Sequence, residues 1–283
     1  MIKYYHRIQL LTKIRRQKRS MTSTIQQRRE AVMSHVYQLG HVSVRQLAED
    51  LAVSEATVRR DLHGLATEGL LELTHGGASV VHTSDYSFIS KSMRNVNAKR
   101  IIAKLASELI SDGEQIFLDS GTTCFEMTPF LRSKRDLSVI VSSIRTAREL
   151  HSPGVSVLLL GGQYRPERMD AVGPIAFEVL ERFRGYRAFL GADGLGMDFG
   201  LTSVDIDSAN IFTQAARNAR ECVLLADSSK FDNPSLYKIT DFQPISTVIT
   251  DKQPSPEWID FFNNQSVNVI CPKDNSDNTN PQE

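Results

Sequence analysis

The sequence predicts an N-terminal domain that is mainly α-helical and carries a small β-hairpin, followed by an α/β domain with a mostly parallel sheet. Three observations lead to this prediction. A chain of 283 residues is long for one compact domain but fits a small domain and a medium one. Apolar residues repeat at helical spacing in the first part, whereas short apolar runs alternate with helical segments in the second. A polar stretch without periodicity separates the two patterns, so we place the domains at residues 23–82 and 96–271, with a linker at 83–95.

The composition indicates a globular protein without a membrane segment or a metal site. A hydrophobic share of 41% is enough to form cores. The longest apolar run, Val155 to Leu160, is far shorter than the roughly 20 residues that a membrane-spanning helix needs. The three cysteines are widely separated and form no CxxC pair, so neither a disulfide framework nor a zinc site is expected. We therefore expect a cytoplasmic protein without a metal or a cofactor.

The two ends of the chain differ from the rest. Residues 1–22 form a basic extension, with seven lysines and arginines and no acid among the first twenty residues. This extension could be an organelle-targeting segment or a nucleic-acid-binding arm. We favour a third interpretation, an upstream extension that stays disordered, because Met21 resembles a second start of the chain. The tail at residues 272–283 is rich in Asn, Asp and Pro, and we expect it to be disordered as well.

Three helices are predicted in the first domain. The first ends at Gly40, since glycine favours the left-handed conformation that follows many helices. Ser43 caps the second helix, and Gln46 three residues later completes a capping box. After a short break, Ser54 caps a third helix, so that two short helices are joined as in a helix-turn-helix. The apolar stripe of the third helix consists of Val58, Leu62 and Leu65.

The face of the third helix opposite this stripe carries residues that suit DNA recognition. Arginine can form a forked hydrogen bond with guanine, and the methyl groups of alanine and threonine can contact thymine. An isolated pair of arginines would indicate only an ordinary solvated surface. Here, however, the segment from Leu70 to Val81 alternates like a hairpin around Gly76 and Gly77, which predicts a winged helix-turn-helix. The candidate DNA-binding residues are Ser43, Arg45, Ser54, Ala56, Thr57, Arg59, Arg60, His63 and His75.

The string from Val53 to Leu62, followed by His75-Gly-Gly-Ala78, resembles the DNA-binding half of the DeoR family of bacterial transcriptional regulators. The resemblance implies a regulator that binds double-stranded operator DNA in the bacterial cytoplasm. Glu72 and Leu73 stand where members of that family usually carry a basic residue. Between residues 21 and 82, five arginines and no lysine face seven acidic residues, which gives a net charge of −2 with histidine neutral. A single copy should therefore bind DNA weakly, and we expect a homodimer or a homotetramer.

The second domain is predicted to alternate strands and helices, which is typical of a parallel sheet covered on both faces. Its first helix spans residues 96–110, where apolar residues repeat at helical spacing. The predicted strands are Gln115–Leu118, Leu137–Val141, Val155–Leu160, Ala188–Gly191, Cys222–Ala226 and Thr247–Thr250. Helices are predicted between most of them, at Arg145–Leu150, Ile175–Phe183 and Ser208–Asn218.

Polar clusters follow several of these strands, at the edge where such sheets bind their ligands. Glycine lets backbone amides approach a phosphate, hydroxyl groups add donors, and lysine or arginine adds positive charge. Aspartate can accept hydrogen bonds from the hydroxyls of a sugar. The expected ligand is therefore small, anionic and hydroxylated. The candidate effector-binding residues are Asp119, Ser120, Gly121, Thr122, Thr123, Ser143, Gly161, Gly162, Arg165, Gly191, Asp193, Gly194, Thr202, Asp227 and Lys230.

Residues 99–251 also resemble the effector domain of the DeoR family, through the stretches DSGTT, LLGGQYR, FLGADG, GLTS and LADSSKF. The resemblance implies the fold of ribose-5-phosphate isomerase and coenzyme A transferases, and a phosphorylated sugar as the ligand that is sensed. Where the family often has a Thr-Asn-Ser run, this chain has Val141-Ser142-Ser143. The run lacks the amide side chain and its donors, which puts the usual sugar preference in question.

The alternative is an enzyme, a sugar-phosphate isomerase that carries an accessory DNA-binding domain. Asp193 resembles part of the isomerase motif, but Leu195-Gly-Met-Asp-Phe-Gly200 replaces the acidic residues and the Lys-Gly-Gly-Gly run that follow in isomerases. No pair of carboxylates for proton transfer is evident in the sequence, so we expect no catalytic residues. The prediction is a transcriptional regulator, a repressor of a carbohydrate catabolic operon, whose affinity for operator DNA is controlled by a phosphorylated sugar.

Overall fold

The structure is a computed structural model that describes residues 25, 28–29, 31–33, 35–36, 39–67, 70–79, 88–166 and 168–272. The chain divides into two compact units, Met1–Arg94 and Asn95–Glu283. The predicted basic extension, and all but the first residue of the predicted tail, lie outside the described residues. Within the described ranges, no helix has both the length and the apolar character needed to cross a membrane.

The first unit is a helix-turn-helix with a small sheet. The described residues of helix α1 lie between 25 and 39. They are followed by β1 (His41–Ser43), α2 (Val44–Asp50), α3 (Glu55–Thr67), β2 (Glu72–Thr74), β3 (Gly77–Ser79) and α4 (Phe88–Met93). The three strands pair antiparallel in the order β1-β3-β2. Strands β2 and β3 form the predicted wing, and β1 adds a third strand that the sequence pattern did not predict.

The caps predicted for α2 and α3 are present. Ser43 Oγ accepts a hydrogen bond from the backbone N–H of Gln46 at 3.1 Å, and Ser54 Oγ accepts one from that of Thr57 at 3.2 Å. Each bond satisfies an amide that has no partner within its own helix. The predicted stripe of α3 is buried in a core whose members include Val32, Val36, Leu47, Val58, Leu62, Leu65 and Leu71.

Helix α4 lies inside the segment that the sequence analysis assigned to a linker. It has six residues and ends at Met93, which packs, partly buried, against the core of the first unit. The division between the units follows immediately, between Arg94 and Asn95. The helix was not predicted because a helix this short has too few apolar positions for a helical period to be recognised.

The second unit alternates strands and helices from α5 (Val96–Glu108) onward. Its first half contains β4 (Gln115–Leu118), α6 (Thr122–Phe125), α7 (Thr128–Leu131), β5 (Leu137–Val141), α8 (Ile144–Glu149), β6 (Val155–Leu159), β7 (Gln163–Arg165) and β8 (Asp170–Val172). Its second half contains α9 (Pro174–Glu181), β9 (Arg187–Gly191), β10 (Gly194–Gly196), β11 (Gly200–Ser203), α10 (Ile206–Asn218), β12 (Glu221–Leu225), a 3-10 turn (Ser228–Lys230), β13 (Tyr237–Thr240), β14 (Ile245–Ile249), α11 (Pro256–Asn264) and β15 (Asn268–Ile270).

Seven of these strands form one parallel sheet, in the order β15-β14-β12-β9-β4-β5-β6. All the predicted strands belong to it, each within two residues of its predicted bounds. Two smaller antiparallel sheets, β10-β11-β13 and β7-β8, were not predicted. The prediction of an α/β domain with a mostly parallel sheet is confirmed.

Helices cover both faces of the parallel sheet. The core on one face contains Ile102 of α5 and Leu131 of α7. The core on the other contains Leu180 of α9, Phe212 of α10 and Trp258 of α11. Because the helices return the chain to the same end of the sheet, the loops that follow the strands share one edge, which is the usual ligand-binding edge of such sheets.

Candidate functional site

Helix α3 presents an exposed face that holds four of the predicted DNA-binding residues. Ala56, Arg59, Arg60 and His63 are all exposed. Thr57 is half-buried, and its hydroxyl lies 2.9 Å from the hydroxyl of the cap residue Ser54. The N-terminal part of the helix is therefore accessible at the surface of the unit, as a recognition helix requires.

The arginines near this face differ in their contacts. Arg59 pairs with Glu55 at 2.9 Å, and Arg45 of α2 pairs with Glu49 at 3.0 Å. Arg60 makes no ion pair with any residue that the structure describes. A guanidinium that is already paired with a carboxylate has fewer donors and less positive charge left for a base or a phosphate. Arg60 is therefore the arginine best placed to read a base directly.

An ion pair fixes α3 from its inner side. Asp61 is 6% exposed and accepts hydrogen bonds from Arg28 Nε at 2.5 Å and from Arg28 Nη2 at 3.1 Å. The hydrogen bond to Asp61 raises the pKa of Arg28. The pair joins α1 to α3 and engages one of the five arginines of residues 21–82 within the domain. Asp61 is therefore a structural residue, although it belongs to the string that carries the family resemblance.

The wing places His75 at its tip. His75 is exposed in the turn between β2 and β3, where Gly76 has a φ of +85°. The turn therefore lies at His75 and Gly76, one residue earlier than predicted, and Gly77 is the first residue of β3. A side chain at Gly77 is disfavoured, because its Cβ would lie 3.0 Å from the Cα of Ser43. The hydroxyl of Ser43, a predicted DNA contact, serves as the cap of α2.

The predicted effector-binding loops lie at one edge of the parallel sheet of the second unit. They follow β12, β9, β4, β5 and β6, which are neighbours in this order. Neighbouring strands are about 4.8 Å apart, so the ends of β12 and β4 are separated by about 10 Å and those of β12 and β6 by about 19 Å. A small ligand can contact the loops after β12, β9 and β4 together. Gly161 and Gly162 follow β6, which lies two strands beyond β4 in the sheet.

Asp119 connects the loops after β4 and β9. It is 1% exposed, and its carboxylate accepts hydrogen bonds from the backbone N–H groups of Gly121 and Gly191. The two glycines permit this approach, since a Cβ at Gly121 would lie 2.7 Å from a carboxylate oxygen of Asp119 and one at Gly191 would lie 3.1 Å away. Both oxygens of Asp119 are engaged by the backbone, so Asp119 shapes the edge to which a ligand would bind.

The buried position of Asp119 leads to a prediction about pH. Burial raises the pKa of Asp119 to about 6, although both backbone hydrogen bonds oppose the shift. The folded unit therefore holds this proton more tightly than the unfolded chain, in which aspartate has a pKa of about 3.9. The contribution of Asp119 to the free energy of unfolding is largest below pH 4 and decreases by about 3 kcal/mol as the pH rises through 6.

Comparison with Asp119→Asn, which does not titrate, isolates this contribution. Trp258 is the only tryptophan of the chain, is 1% exposed and belongs to the second unit, so its fluorescence reports the unfolding of that unit. We subtract the free energy of unfolding of Asp119→Asn from that of wild type, both measured in urea. This difference should be lower at pH 7 than at pH 4.5. A difference that does not change with pH would contradict the raised pKa.

Asp193 and Thr202 hold the loop after β9 in place. Asp193 Oδ2 accepts a hydrogen bond from the N–H of Val204 at 2.9 Å. Thr202 is fully buried, and its hydroxyl donates to the carbonyl of Gly194 and accepts from the N–H of Ser235, each at 2.7 Å. The hydroxyl of Thr202 is thus used within the fold, although it was predicted to contact the effector.

Arg165 belongs to an ion-pair network. Its guanidinium donates to both oxygens of Asp170, at 2.9 and 2.8 Å, and to both oxygens of Asp205, at 3.0 and 2.9 Å. Asp205 also caps α10, where it accepts from the N–H of Ser208 at 2.8 Å. Burial raises the pKa of Asp205, but the hydrogen bonds from Ser208 and Arg165 outweigh it and lower the pKa overall. With two carboxylates bound to it, Arg165 offers little positive charge to a phosphate.

The remaining predicted residues lie along the same edge. Ser120 is half-buried, and Thr122 and Thr123, which begin α6, are 8% and 9% exposed. Ser143 Oγ caps α8 by accepting a hydrogen bond at 3.1 Å from the N–H three residues later. Gly161 and Gly162 are exposed after β6. Of these residues, the three hydroxyl side chains after β4 are nearest to the loops after β9 and β12.

The loop after β12 combines a buried acid with a cation. Asp227 is 1% exposed, and its Oδ1 accepts a hydrogen bond from the N–H of Ser229 at 3.1 Å. Lys230 ends the 3-10 turn, is half-buried and makes no ion pair with any described residue. Lys230 is therefore better placed than Arg165 to contact a phosphate at this edge.

Two further residues at this edge were not predicted. Asn95 immediately precedes α5 and donates to Asp227 Oδ1 at 2.9 Å. Lys99, one turn into α5, is 4% exposed and lies on the buried face of the helix with Ile102 and Ala103. A lysine is almost never fully buried unless it is paired. The signal for Lys99 was present in the sequence, as a lysine within an apolar stripe at helical spacing.

The described residues form no cluster suited to a metal ion, and two of their cysteines are buried with raised thiol pKa values. No group of three or more His, Cys, Asp or Glu side chains among them is arranged to hold a metal ion. Burial raises the pKa of the Cys222 thiol to about 12 and raises that of Cys124 as well. Reactive cysteines need the opposite shift, because the thiolate is the nucleophile.

Two family models match the chain. The DeoR-like helix-turn-helix domain matches residues 28–84, and the DeoR C terminal sensor domain matches residues 94–252. The HTH-type transcriptional regulator GlpR of Haloferax volcanii is 34% identical over 211 residues, which cover 74% of this chain and 83% of GlpR. The lactose phosphotransferase system repressor of Lactococcus lactis is 34% identical over 229 residues, which cover 79% of this chain and 89% of that repressor.

Similarity to solved structures is weaker. A D-ribose-5-phosphate isomerase in complex with phospho-erythronic acid aligns at a TM-score of 0.35 and 17% identity, over 47% of this chain and 52% of the isomerase. A score this low supports no inference about function.

The relatives are named transcriptional regulators or repressors, which disfavours the alternative of an isomerase with an accessory DNA-binding domain. The C-terminal family model alone spans more than half of the chain, and the helix-turn-helix model covers most of the first unit. The chain therefore belongs to the DeoR family of transcriptional regulators, and it is a regulator of transcription rather than an enzyme.

Proposed function

We propose that this regulator is a sequence-specific repressor of a carbohydrate catabolic operon, and that a phosphorylated sugar controls its affinity for double-stranded operator DNA. The exposed face of α3 carries the DNA-binding part of the proposal, because Arg60 on that face has no competing ion pair among the described residues. The name of the relative from Lactococcus lactis, a lactose phosphotransferase system repressor, supports a sugar operon as the target.

The ligand part of the proposal rests on the loops after β12, β9 and β4. Lys230 provides a positive charge, and the hydroxyl groups of Ser120, Thr122 and Thr123 provide donors for phosphate oxygens. Asp227 provides a buried acceptor that suits a sugar hydroxyl. A ligand with a phosphate at one end and hydroxyl groups at the other matches this distribution of charge.

The charge of residues 21–82, the helix-turn-helix and its wing, supports an oligomer. Their net charge is −2, and three of their five arginines, Arg28, Arg45 and Arg59, are in ion pairs with acidic residues. Phosphate neutralisation supplies much of the affinity of proteins for DNA, so one copy binds weakly. We propose a homodimer or a homotetramer that binds repeated or palindromic half-sites in the cytoplasm.

A gel-shift titration tests the ligand class. Full-length protein bound to the promoter DNA beside its own gene is titrated with glucose 6-phosphate, fructose 1-phosphate, fructose 6-phosphate and galactose 6-phosphate. The corresponding free sugars and inorganic phosphate are the controls. At least one phosphorylated sugar should change the shift, while its free sugar should not. Indifference to the whole panel would contradict the sensor part of the proposal and leave the DNA-binding part standing.

A further inference from the structure

The side chain of Asn95 forms hydrogen bonds with a loop that is distant in the sequence. Its Nδ2 donates to Asp227 Oδ1 at 2.9 Å and to Ser229 Oγ at 3.0 Å. Asn95 stands at the N-terminus of α5, where an asparagine commonly caps its own helix, but its side chain makes no cap hydrogen bond. Its backbone is left-handed, with φ 52° and ψ 38°, a conformation that asparagine tolerates better than most residues. The residue is therefore held in place by the loop after β12.

The hydrogen bonds of Asp227 are unevenly distributed between its two oxygens. Oδ1 accepts from Asn95 Nδ2, from the N–H of Ser229 at 3.1 Å and from Ser229 Oγ at 2.5 Å. Oδ2 is buried and has no hydrogen-bond partner among the residues that the structure describes. Nearly all buried polar atoms have a partner, so this oxygen suits a donor from a ligand. The donor must be a hydroxyl or an N–H group, because a phosphate would be repelled by the carboxylate.

Asn95 is also the first residue of the second unit in the chain, directly after Arg94, the last residue of the first unit. A change in the hydrogen bonds of Asp227 therefore affects the side chain of Asn95 directly. Asn95 is bonded to Arg94, so this change acts on the residue that connects the two units. The left-handed backbone of Asn95 sets the direction in which the chain enters α5. Release of its side chain removes the contact that holds this conformation.

We propose that Asn95 couples occupancy of the Asp227 loop to the DNA affinity of the first unit. A hydroxyl of the sugar donates to Asp227 Oδ2, the carboxylate reorients toward the ligand, and the hydrogen bond from Asn95 to Oδ1 is lost. Ligand binding can shift DNA affinity only if the two states bind the ligand differently, and the Asn95–Asp227 bond supplies that difference. The inference rests on the proposed function. In it, Asp227 binds a hydroxyl group of the ligand, and Asn95 transmits the effect of that binding.

Asn95→Gly tests the coupling, because glycine accepts the left-handed backbone but removes the amide. Asn97→Ala, at an exposed position of α5 one residue beyond its start, is the matched control. Operator affinity is measured by fluorescence anisotropy with the full-length proteins. Binding of each sugar phosphate of the panel is measured by calorimetry. The urea midpoint of Trp258 fluorescence verifies that each variant is folded.

Without any sugar phosphate, Asn95→Gly should already change operator affinity by about fivefold or more, whereas Asn97→Ala should not. With the panel member that acts on wild type, Asn95→Gly should bind that compound more tightly than wild type does and show no further change in operator affinity. Unchanged ligand-free operator affinity in Asn95→Gly would overturn the inference. So would a full response to the sugar phosphate. If no panel compound binds wild type but Asn95→Gly alters operator affinity, the proposed ligand class fails and the coupling role of Asn95 stands.

Discussion

Arg60→Ala is expected to weaken operator binding by about 1–3 kcal/mol, which corresponds to about five- to 150-fold in the dissociation constant. Arg60 is exposed on α3, and no described residue forms an ion pair with it. Its guanidinium can therefore make a forked hydrogen bond to guanine without first losing a carboxylate partner. Fluorescence anisotropy with the operator and with an unrelated duplex of equal length measures both specific and non-specific affinity.

Arg59→Ala is the matched control, since Arg59 is the preceding residue and is also exposed but pairs with Glu55 at 2.9 Å. We expect a smaller loss for Arg59→Ala, and one that is similar on both duplexes. Arg60→Lys keeps the charge but not the fork, so it should recover non-specific binding more fully than specific binding. Equal losses for Arg59→Ala and Arg60→Ala on both duplexes would show that Arg60 contacts only phosphate.

Lys230→Ala is expected to leave operator binding unchanged and to reduce the affinity for the active sugar phosphate by about 10- to 150-fold, the effect of losing a charge-assisted hydrogen bond. Lys230 is the cation of the loop after β12, beside the buried Asp227. In Lys230→Ala, the operator complex should not respond to the sugar phosphate concentrations that release or strengthen the wild-type complex. Calorimetry measures the first effect, and a gel shift measures the second.

Lys104→Ala controls for a general loss of positive charge in the second unit. Lys104 is exposed on α5, away from the first turn of that helix. It should respond to the sugar phosphate like wild type. Loss of operator binding in Lys230→Ala, combined with an intact ligand response, would contradict the division of roles between the two units.

The central strands of the parallel sheet could be predicted because they are largely buried on both faces and consist mainly of apolar residues. Leu137–Val141, in which Ser138 is the one polar residue, was predicted with its correct bounds for this reason. The small antiparallel sheets could not be predicted in this way. The strand Gly194–Gly196 contains two glycines, and its position depends on pairing with β11 rather than on its own composition. Helix Phe88–Met93 was missed because it is too short to show a helical period.

The candidate residues were predictable as neighbours at one edge of the sheet, but their contacts were not. Glycine, serine and aspartate after buried strands indicated that these residues would lie at the same edge. The sequence could not show that Arg165 would be surrounded by Asp170 and Asp205, because the three residues are brought together only by the fold. Asn95 was also missed, since its contact with Asp227 joins positions 132 residues apart. Which of the predicted residues contact a ligand stays a prediction.

The order of strands in the parallel sheet affects when each unit becomes functional during synthesis. Strands β4 and β9 are neighbours at the centre of the sheet, but residues 119–186 lie between them in the chain. Pairing of such distant segments is slow, and it cannot begin before the ribosome has made about half of the second unit. The first unit has its own core and is completed much earlier. A chain whose translation stops early would therefore contain the helix-turn-helix domain without the sensor domain.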